Sequence, residues 1–177
     1  MLIVRDRVLE LPDPPAVGYT LRGYQPGDEK AWVALLEYGD FPEWSVERFD
    51  SYVQGPERRE GSHAVLKDGS IVAASFASVQ PDAENMGRLD FVVSHPDHRG
   101  NGLGRVVCTA VMKHLAGRGY GSTVLFTDDW RLPAIGLYLS MGFVPRMTCD
   151  DMPARWKAIF RELGLARNDR RTEHHRR

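Results

Sequence analysis

A glycine-rich segment in the second half of the chain has the composition of a phosphate-binding loop. Gly100 to Gly104 holds three glycines in five residues, which lets the backbone pass close to a ligand with several N–H groups turned outward. The apolar run at 91–93 before it predicts a buried strand. A loop between a strand and a helix N-terminus is typical of a site for a phosphate-bearing cofactor. The helix is predicted from apolar residues spaced by three and four: Leu103, Val107, Ala110, Val111 and Leu115.

Two known types of phosphate loop match this segment poorly. A Walker loop ends in Gly-Lys followed by Ser or Thr, whereas this segment continues as Gly104-Arg105-Val106. A dinucleotide fingerprint needs Gly-x-Gly-x-x-Gly after the first strand. Here the third glycine comes one residue early, and the loop follows the fourth predicted strand.

The surrounding pattern predicts an α/β fold of mixed α+β character. The order is strand, two helices, hairpin, strand, helix, strand, helix, strand, helix, which predicts a mixed sheet with an antiparallel meander followed by a crossover. Asp68-Gly69 marks the hairpin, because both residues tolerate positive φ. The predicted strands are 19–24, 63–67, 71–78, 91–93, 122–127 and 143–148, and the helices begin after Asp28 and Ser45, at Leu103, around 133–139 and near Ala154.

The chain is long enough for one domain. Its 177 residues, of which 42% are hydrophobic, suffice for one well-formed core and are few for two. We assign this domain to residues 17–165. Residues 1–16 end in a proline cluster that cannot continue regular structure, so we predict an N-terminal arm outside the core. Residues 166–177 are rich in arginine and histidine and are predicted to be a disordered basic tail.

Charge and hydropathy exclude several classes of protein. A formal net charge of -1 argues against a general nucleic-acid binder, because affinity for phosphates depends on an excess of lysine and arginine. No apolar run approaches the length of about 18 residues expected of a membrane span, and the N-terminus lacks the apolar core of a signal peptide. Two cysteines are too few for a disulfide framework, and no ligand set predicts a metal site. We therefore expect a cytoplasmic protein without nucleic-acid or membrane partners.

Two segments resemble motifs of the GCN5-related N-acetyltransferase (GNAT) superfamily. Arg99 to Gly104 is similar to its Arg/Gln-x-x-Gly-x-Gly/Ala motif, and the preceding residues 95–98 resemble the family's usual approach to it. About 30 residues later, Ala134 to Phe143 is similar to the family's Ala-Ile-x-Leu-Tyr-x-x-x-Gly-Phe segment. The predicted elements from Tyr19 to Thr148 cover essentially the whole family fold.

The resemblance implies a twisted, mostly antiparallel central sheet with helices on both faces. It also implies a V-shaped opening between the fourth and fifth strands, which end near Ser94 and Thr127, with acetyl-coenzyme A bound there. Arg131 stands where many relatives have Asn, so instead of contacting the coenzyme it could pair with Asp128 or Asp129, or reach an anionic acceptor. The residues implied in coenzyme binding are Val92, Val93, Ser94, Arg99, Gly100, Asn101, Gly102, Leu103, Gly104 and Arg131.

The resemblance also implies the reaction, which is acetyl transfer from acetyl-coenzyme A to an amine by direct attack in a ternary complex. Tyr138 matches the family tyrosine that places its hydroxyl near the coenzyme sulfur, where it can act as general acid for the departing thiolate. Cys108 falls inside a helix with no adjacent base, so it is not expected to be a nucleophile.

The general base does not follow from the resemblance. Two positions at which relatives carry a glutamate hold Arg88 and Phe126 here. Asp90 lies two residues from Arg88 and therefore shares its face of the strand, which makes it our first candidate. The competing interpretation is a carboxylate paired with Arg88. Asp128 and Asp129 are the next candidates.

The acceptor is expected to be a small-molecule or peptide amine bound by the segment from Tyr38 to Tyr52. The aromatic residues of this segment are also consistent with a helix packed on the sheet, which is the stronger interpretation: Phe41, Trp44, Phe49 and Tyr52. A second hypothesis is a module that binds acyl-coenzyme A without turnover, because no glutamate base is found. Transfer of a longer acyl group, and a monomer or a homodimer, remain open.

Overall fold

The structure is a computed structural model that describes residues 2–5 and 18–165. Its strands are β1 (Leu2–Arg5), β2 (Tyr19–Gly23), β3 (His63–Lys67), β4 (Ser70–Val79), β5 (Met86–Ser94), β6 (Ser122–Leu125) and β7 (Val144–Pro145). Its helices are α1 (Glu29–Glu37), α2 (Val46–Tyr52), α3 (Pro56–Gly61), α4 (Leu103–Gly117), α5 (Leu132–Ser140) and α6 (Met152–Glu162), with a short 3-10 turn at Pro96–His98.

The strands of the described residues form one sheet, in the order β2-β3-β4-β5-β6-β1-β7. Neighbouring strands are antiparallel except β5 and β6, which are parallel and pair only from Met86 opposite Ser122 to Arg88 opposite Val124. The β3–β4 hairpin turns at Asp68 and Gly69, both at positive φ. The predicted mixed, mostly antiparallel sheet is confirmed.

Strand β1 corrects the prediction that residues 1–16 lie outside the core. It runs between β6 and β7, with Ile3 opposite both Val124 and Val144. The prediction of an arm is therefore wrong for residues 2–5. Residues 6–16 and the predicted tail 166–177 lie outside the described part of the chain. A strand of four residues whose partners are so distant in sequence leaves no periodic signal of its own.

Helices cover both faces of the sheet, as expected. On one face α1 and α2 enclose an aromatic core around Trp32, Phe49 and Phe76, all fully buried. On the other face α4 packs across the sheet with α5 and α6 beside it. No helix in the described residues has the length and apolarity needed to cross a membrane.

Several predicted boundaries shift in the structure. The Ser45 hydroxyl caps α2 by accepting the Arg48 N–H at 3.2 Å, as predicted. Asp28 precedes α1, but its carboxylate binds the Arg22 guanidinium at 2.6 and 2.8 Å instead of capping the helix. The strand predicted at 122–127 ends at Leu125, and the strand predicted at 143–148 comprises only 144–145. Helix α3, a charged segment of six residues, was not predicted.

The V-shaped opening lies between β5 and β6. Beyond Arg88 strand β5 continues to Ser94 with β4 as its partner, whereas β6 ends. A bulge bends β5 there, because Phe91 has a φ of 48° and the pairing shifts between Ala74 and Phe76 of β4. Beyond Arg88 the edge of β5 that faced β6 is thereby left open to a ligand.

Candidate functional site

An open cavity of about 340 Å³ lies between the splayed end of β5 and the helices α4 and α5. It brings together nine of the predicted site residues: Val92, Val93, Ser94, Arg99, Gly100, Gly102, Leu103, Gly104 and Tyr138. Asn101, Asp90 and Arg131 do not line it. The two motifs that are separated in sequence therefore line one cleft.

The glycine loop has the backbone geometry of an anion site. Gly100 and Gly102 lie at φ 82° and 73°, and a Cβ atom at either position would point into open space. Gly102 is the N-cap of α4, a helix of 15 residues, so the unpaired N–H groups of the first turn and the helix dipole lie at the loop. Asn101 braces the loop, since its side-chain amide donates to the His98 carbonyl at 3.0 Å.

The charges around the cavity favour a negatively charged ligand. Arg99 and Arg105 line it, and none of its lining residues in the described part of the chain is a carboxylate. The Arg105 guanidinium also donates to the Ser140 hydroxyl, which ties the start of α4 to the end of α5. Apolar side chains from β5 and α5 form the rest of the wall. A diphosphate joined to an uncharged arm fits this combination of positive, N–H-rich and apolar surfaces.

Tyr138 lies on α5 where it faces α4. It is 6% exposed, and its ring packs edge-on against Phe143 with the centroids 5.9 Å apart. Burial, together with the neighbouring Cys108 thiol, raises the pKa of Tyr138 well above that of a free phenol. The hydroxyl is therefore held in the protonated form that a general acid requires.

Cys108 is excluded as a nucleophile, as expected. It is fully buried in α4, and burial raises the pKa of its thiol to about 12. A thiol in this environment stays protonated and unreactive at neutral pH.

Asp90 is held on the α2 side of the sheet, just beyond the last parallel pair of β5 and β6. Its carboxylate accepts the Tyr52 hydroxyl at 2.7 Å and the Arg88 Nε at 2.9 Å. The Asp90 side chain is 12% exposed. This pairing with Arg88 was the competing interpretation from the sequence. Burial, together with Asp90, raises the pKa of Tyr52 to about 12, so the Tyr52 hydroxyl keeps its proton and remains a donor.

The other acidic candidates for the base are paired at the surface. Asp128 accepts Arg131 Nε at 3.1 Å, and Asp129 accepts the Arg155 guanidinium at 2.7 Å through both carboxylate oxygens. Arg131 thus forms one of the pairs considered from the sequence. Within the described residues, no cluster of His, Cys, Asp and Glu could hold a metal ion.

The acceptor segment divides between core and surface. Trp44 and Phe49 are buried among the aromatic residues that cover β4, which confirms the packing interpretation for them. Phe41 packs edge-on against Phe91 of the bulge at 5.0 Å. Tyr38, at the end of α1, is 47% exposed and reaches the cavity itself.

Six cavity residues were absent from the predicted catalytic and coenzyme-binding residues: Tyr38, His98, Arg105, Pro133, Ala134 and Leu137. Ala134 and Leu137 belong to the motif that contains Tyr138, and their spacing on a helix could have indicated them. His98 belongs to the approach segment, where the Tyr19 hydroxyl lies 2.9 Å from its Nδ1. Tyr38 is the first residue of the predicted acceptor segment, but no motif in the sequence indicates that it lines the same cavity as the glycine loop.

Comparisons with known proteins agree with this geometry. A model of the Acetyltransferase (GNAT) family matches residues 29–143. Mycothiol acetyltransferases from Thermobispora bispora and Thermomonospora curvata are 34% and 32% identical over 157 and 133 residues, which are 82% and 71% of this chain. The same matches cover 52% and 44% of those relatives. The chain thus spans about half the length of the curated relatives it matches.

Solved structures share the fold. The ribosomal-protein-S18-alanine N-acetyltransferase from Escherichia coli is 25% identical with a TM-score of 0.62, and the match covers 73% of this chain and 79% of that one. A GCN5-related N-acetyltransferase from Sphaerobacter thermophilus is 24% identical with a TM-score of 0.67, over 82% of this chain and 47% of that one. The splayed sheet, the glycine loop at α4 and the matched family model lead to one conclusion: this chain belongs to the acetyltransferase (GNAT) family.

Proposed function

We propose that this chain transfers an acetyl group from acetyl-coenzyme A to a primary amine of a small molecule or peptide. The observation that supports it most is the single cleft that joins the N-terminus of α4 to Tyr138. Relatives in the comparisons are named for acetyl transfer, to mycothiol or to the alanine of a ribosomal protein. The open space beside Gly100 and Gly102 fits a diphosphate, and the apolar walls fit an uncharged arm.

The donor would supply a thioester, whose carbonyl carbon a neutral amine can attack. Arg99 and the N–H groups of 100–104 would hold its phosphates, while the backbone of Val92, Val93 and Ser94, which has no partner strand on the β6 side, would hold its arm. Asn101 would act by bracing the loop. Leu103 and Gly104 place the first turn of α4 against the cleft.

Tyr138 is the proposed general acid. As the new C–N bond forms and the C–S bond breaks, its hydroxyl would give a proton to the departing sulfur. The proton released by the amine must pass to a base, and we propose Asp90, which lies on β5 where the strands diverge. Its fixed partners Tyr52 and Arg88 set the orientation of its carboxylate.

The test is a thiol-release assay with acetyl-coenzyme A and a panel of amines. The panel comprises a polyamine, an aminoglycoside, free amino acids, a peptide with an N-terminal alanine and the acceptor of the mycothiol acetyltransferases. Parent protein should release thiol with at least one amine. Tyr138→Phe should bind coenzyme A unchanged and turn over roughly 100-fold more slowly, the low end of general acid–base contributions.

A second candidate function is binding of an acyl-coenzyme A without turnover. Two observations favour it: among the residues that the structure describes no carboxylate lines the cavity, and the three acidic candidates have cationic partners. Coenzyme A binding by calorimetry, with no thiol release for any amine, would establish this module in place of the enzyme.

A further inference from the structure

The side chain of Arg131 contacts the loop between α1 and α2, residues 38–45, which we call the acceptor loop. Its Nη1 donates to the Gly39 carbonyl at 2.9 Å, and its Nε donates to Asp128 at 3.1 Å. The guanidinium carbon also lies 5.1 Å from the ring centre of Phe41 and 4.2 Å from that of Trp130. The side chain is 19% exposed, so these contacts use most of its surface.

The acceptor loop is shaped to lie tightly against the splayed strand. A Cβ at Gly39 would sit 2.8 Å from Phe41 Cε2 and 3.3 Å from Val93 Cγ2, so a larger residue would require the Phe41 ring to move. Asp40 has a φ of 58°, and the Phe41 N–H returns to the Leu36 carbonyl at 3.3 Å. The carbonyl that Arg131 binds is therefore part of a compact turn against β5.

Arg99 holds the same loop in a different way. Its Nη2 donates to the Tyr38 carbonyl at 3.1 Å, and its Nε lies 3.4 Å from the Ser94 carbonyl. Arg99 is exposed and lines the cavity, so a phosphate can replace its carbonyl partners. Arg131 does not line the cavity, and to reach a ligand it would have to leave Gly39, Asp128 and two aromatic rings.

We infer that Arg131 is a positioning residue, which fixes the acceptor loop across the mouth of the cleft and does not bind the coenzyme. The inference rests on the proposed function, since the loop would then form the acceptor side of the site. A guanidinium suits this task because it is planar, donates in its plane and stacks on aromatic rings. The ammonium group of lysine is not planar and has no set of donors in one plane, so lysine at position 131 should not hold the acceptor loop in the same way.

The first test compares Arg131→Gln and Arg131→Lys with Arg99→Gln in the full chain. Calorimetry with coenzyme A should give dissociation constants within about twofold of the parent for both Arg131 variants and about tenfold weaker binding for Arg99→Gln. Hydrogen exchange should accelerate for the amides of 39–41 in both Arg131 variants. Equal loss of coenzyme affinity in Arg131→Gln and Arg99→Gln would overturn the inference, and so would parent-like exchange in Arg131→Lys.

The second test separates positioning from stability. With the amine that turns over best in the panel, both Arg131 variants should raise the KM for the amine about tenfold and leave the KM for acetyl-coenzyme A and the urea midpoint nearly unchanged. An unchanged KM for the amine would also contradict the inference. If the parent turns over no amine, the proposed function fails, whereas coenzyme affinity and hydrogen exchange still decide the role of Arg131.

Discussion

At the scale of single residues, the site depends on how burial sets the protonation of two side chains. Burial raises the pKa of Tyr138 well above that of a free phenol, so its hydroxyl carries its proton at neutral pH. Cys108 is protonated for the same reason. Tyr138 can therefore serve as a proton donor while Cys108 cannot serve as a nucleophile, which agrees with the proposed direct attack by the acceptor amine.

Asp90 gives a prediction that separates catalysis from structure. Asp90→Asn keeps the size of the side chain but removes the charge that pairs with Arg88, so it should lower the free energy of unfolding by about 1–3 kcal/mol. If Asp90 is the base, kcat should also fall by about 100-fold or more while coenzyme affinity stays the same.

The matched control for Asp90 is Tyr52→Phe. It removes one hydrogen bond to the same carboxylate and leaves the carboxylate in place. Its stability should fall by about 1 kcal/mol, and its turnover should stay within about tenfold of the parent. Asp90→Asn with parent turnover and lowered stability would leave Asp90 with a structural role alone.

At the scale of elements, phosphate binding by the loop before α4 can be tested with two substitutions of the same size, of which only one adds a negative charge. Gly102→Glu and Gly102→Gln both place a side chain at φ 73°, which costs about 1 kcal/mol in either case, and both project it into open space. Only glutamate sets a negative charge against the phosphates. Calorimetry should show coenzyme A binding that is at least about tenfold weaker for Gly102→Glu than for Gly102→Gln, at equal urea midpoints. Equal affinities would show that the loop is not the phosphate site.

Two histidines where α3 and β3 contact α4 should make the stability of the protein depend on pH. His63 Nδ1 lies 2.7 Å from the Gly61 carbonyl, and His114 has a buried Nε2 with no partner in the described residues. Burial lowers the pKa of both side chains from its usual value of 6.5. The unfolded chain therefore binds more protons, so this stability is complete above about pH 6.5 and is lost as the pH falls below it.

The measurement is the urea midpoint between pH 7.5 and 5. The urea midpoint of the parent should decrease as the pH is lowered. The midpoint of His114→Gln should decrease less steeply, because this variant has one titrating group fewer. An identical slope in both proteins would mean that His114 titrates alike in the folded and unfolded states.

The elements that the sequence predicts well are those determined by neighbouring residues. Ser45 and Asp68-Gly69 act through local hydrogen bonds and φ preferences, so their types alone indicate a cap and a turn. The bulge at Phe91 forms because two residues of β5 pair with one residue of β4. The residue type of Phe91 does not indicate this pairing, so the bulge could not be predicted from the sequence. Tyr38 enters the cavity through a turn whose position depends on Arg99 and Arg131, both far along the chain.

At the scale of the whole molecule, β1 completes the sheet between β6 and β7. Ile3→Pro should lower the free energy of unfolding by about 3 kcal/mol, because proline removes a ladder hydrogen bond from a strand that is paired on both sides. Ile3→Val keeps the N–H and the β-branched side chain, so it should lie within about 1 kcal/mol of the parent in urea unfolding. Equal midpoints for the two variants would show that β1 contributes nothing to stability.

The same strand imposes an order on folding. β1 precedes the other described strands in the chain, yet its partners are residues 122–125 and 144–145, so more than 115 residues must be synthesised after it before it can pair. Closing such a long loop is slow, since its entropy must be lost before the contacts form. A chain arrested between residues 125 and 144 could pair β1 with β6 but would lack β7, so the other edge of β1 would stay open to chaperones or to other chains.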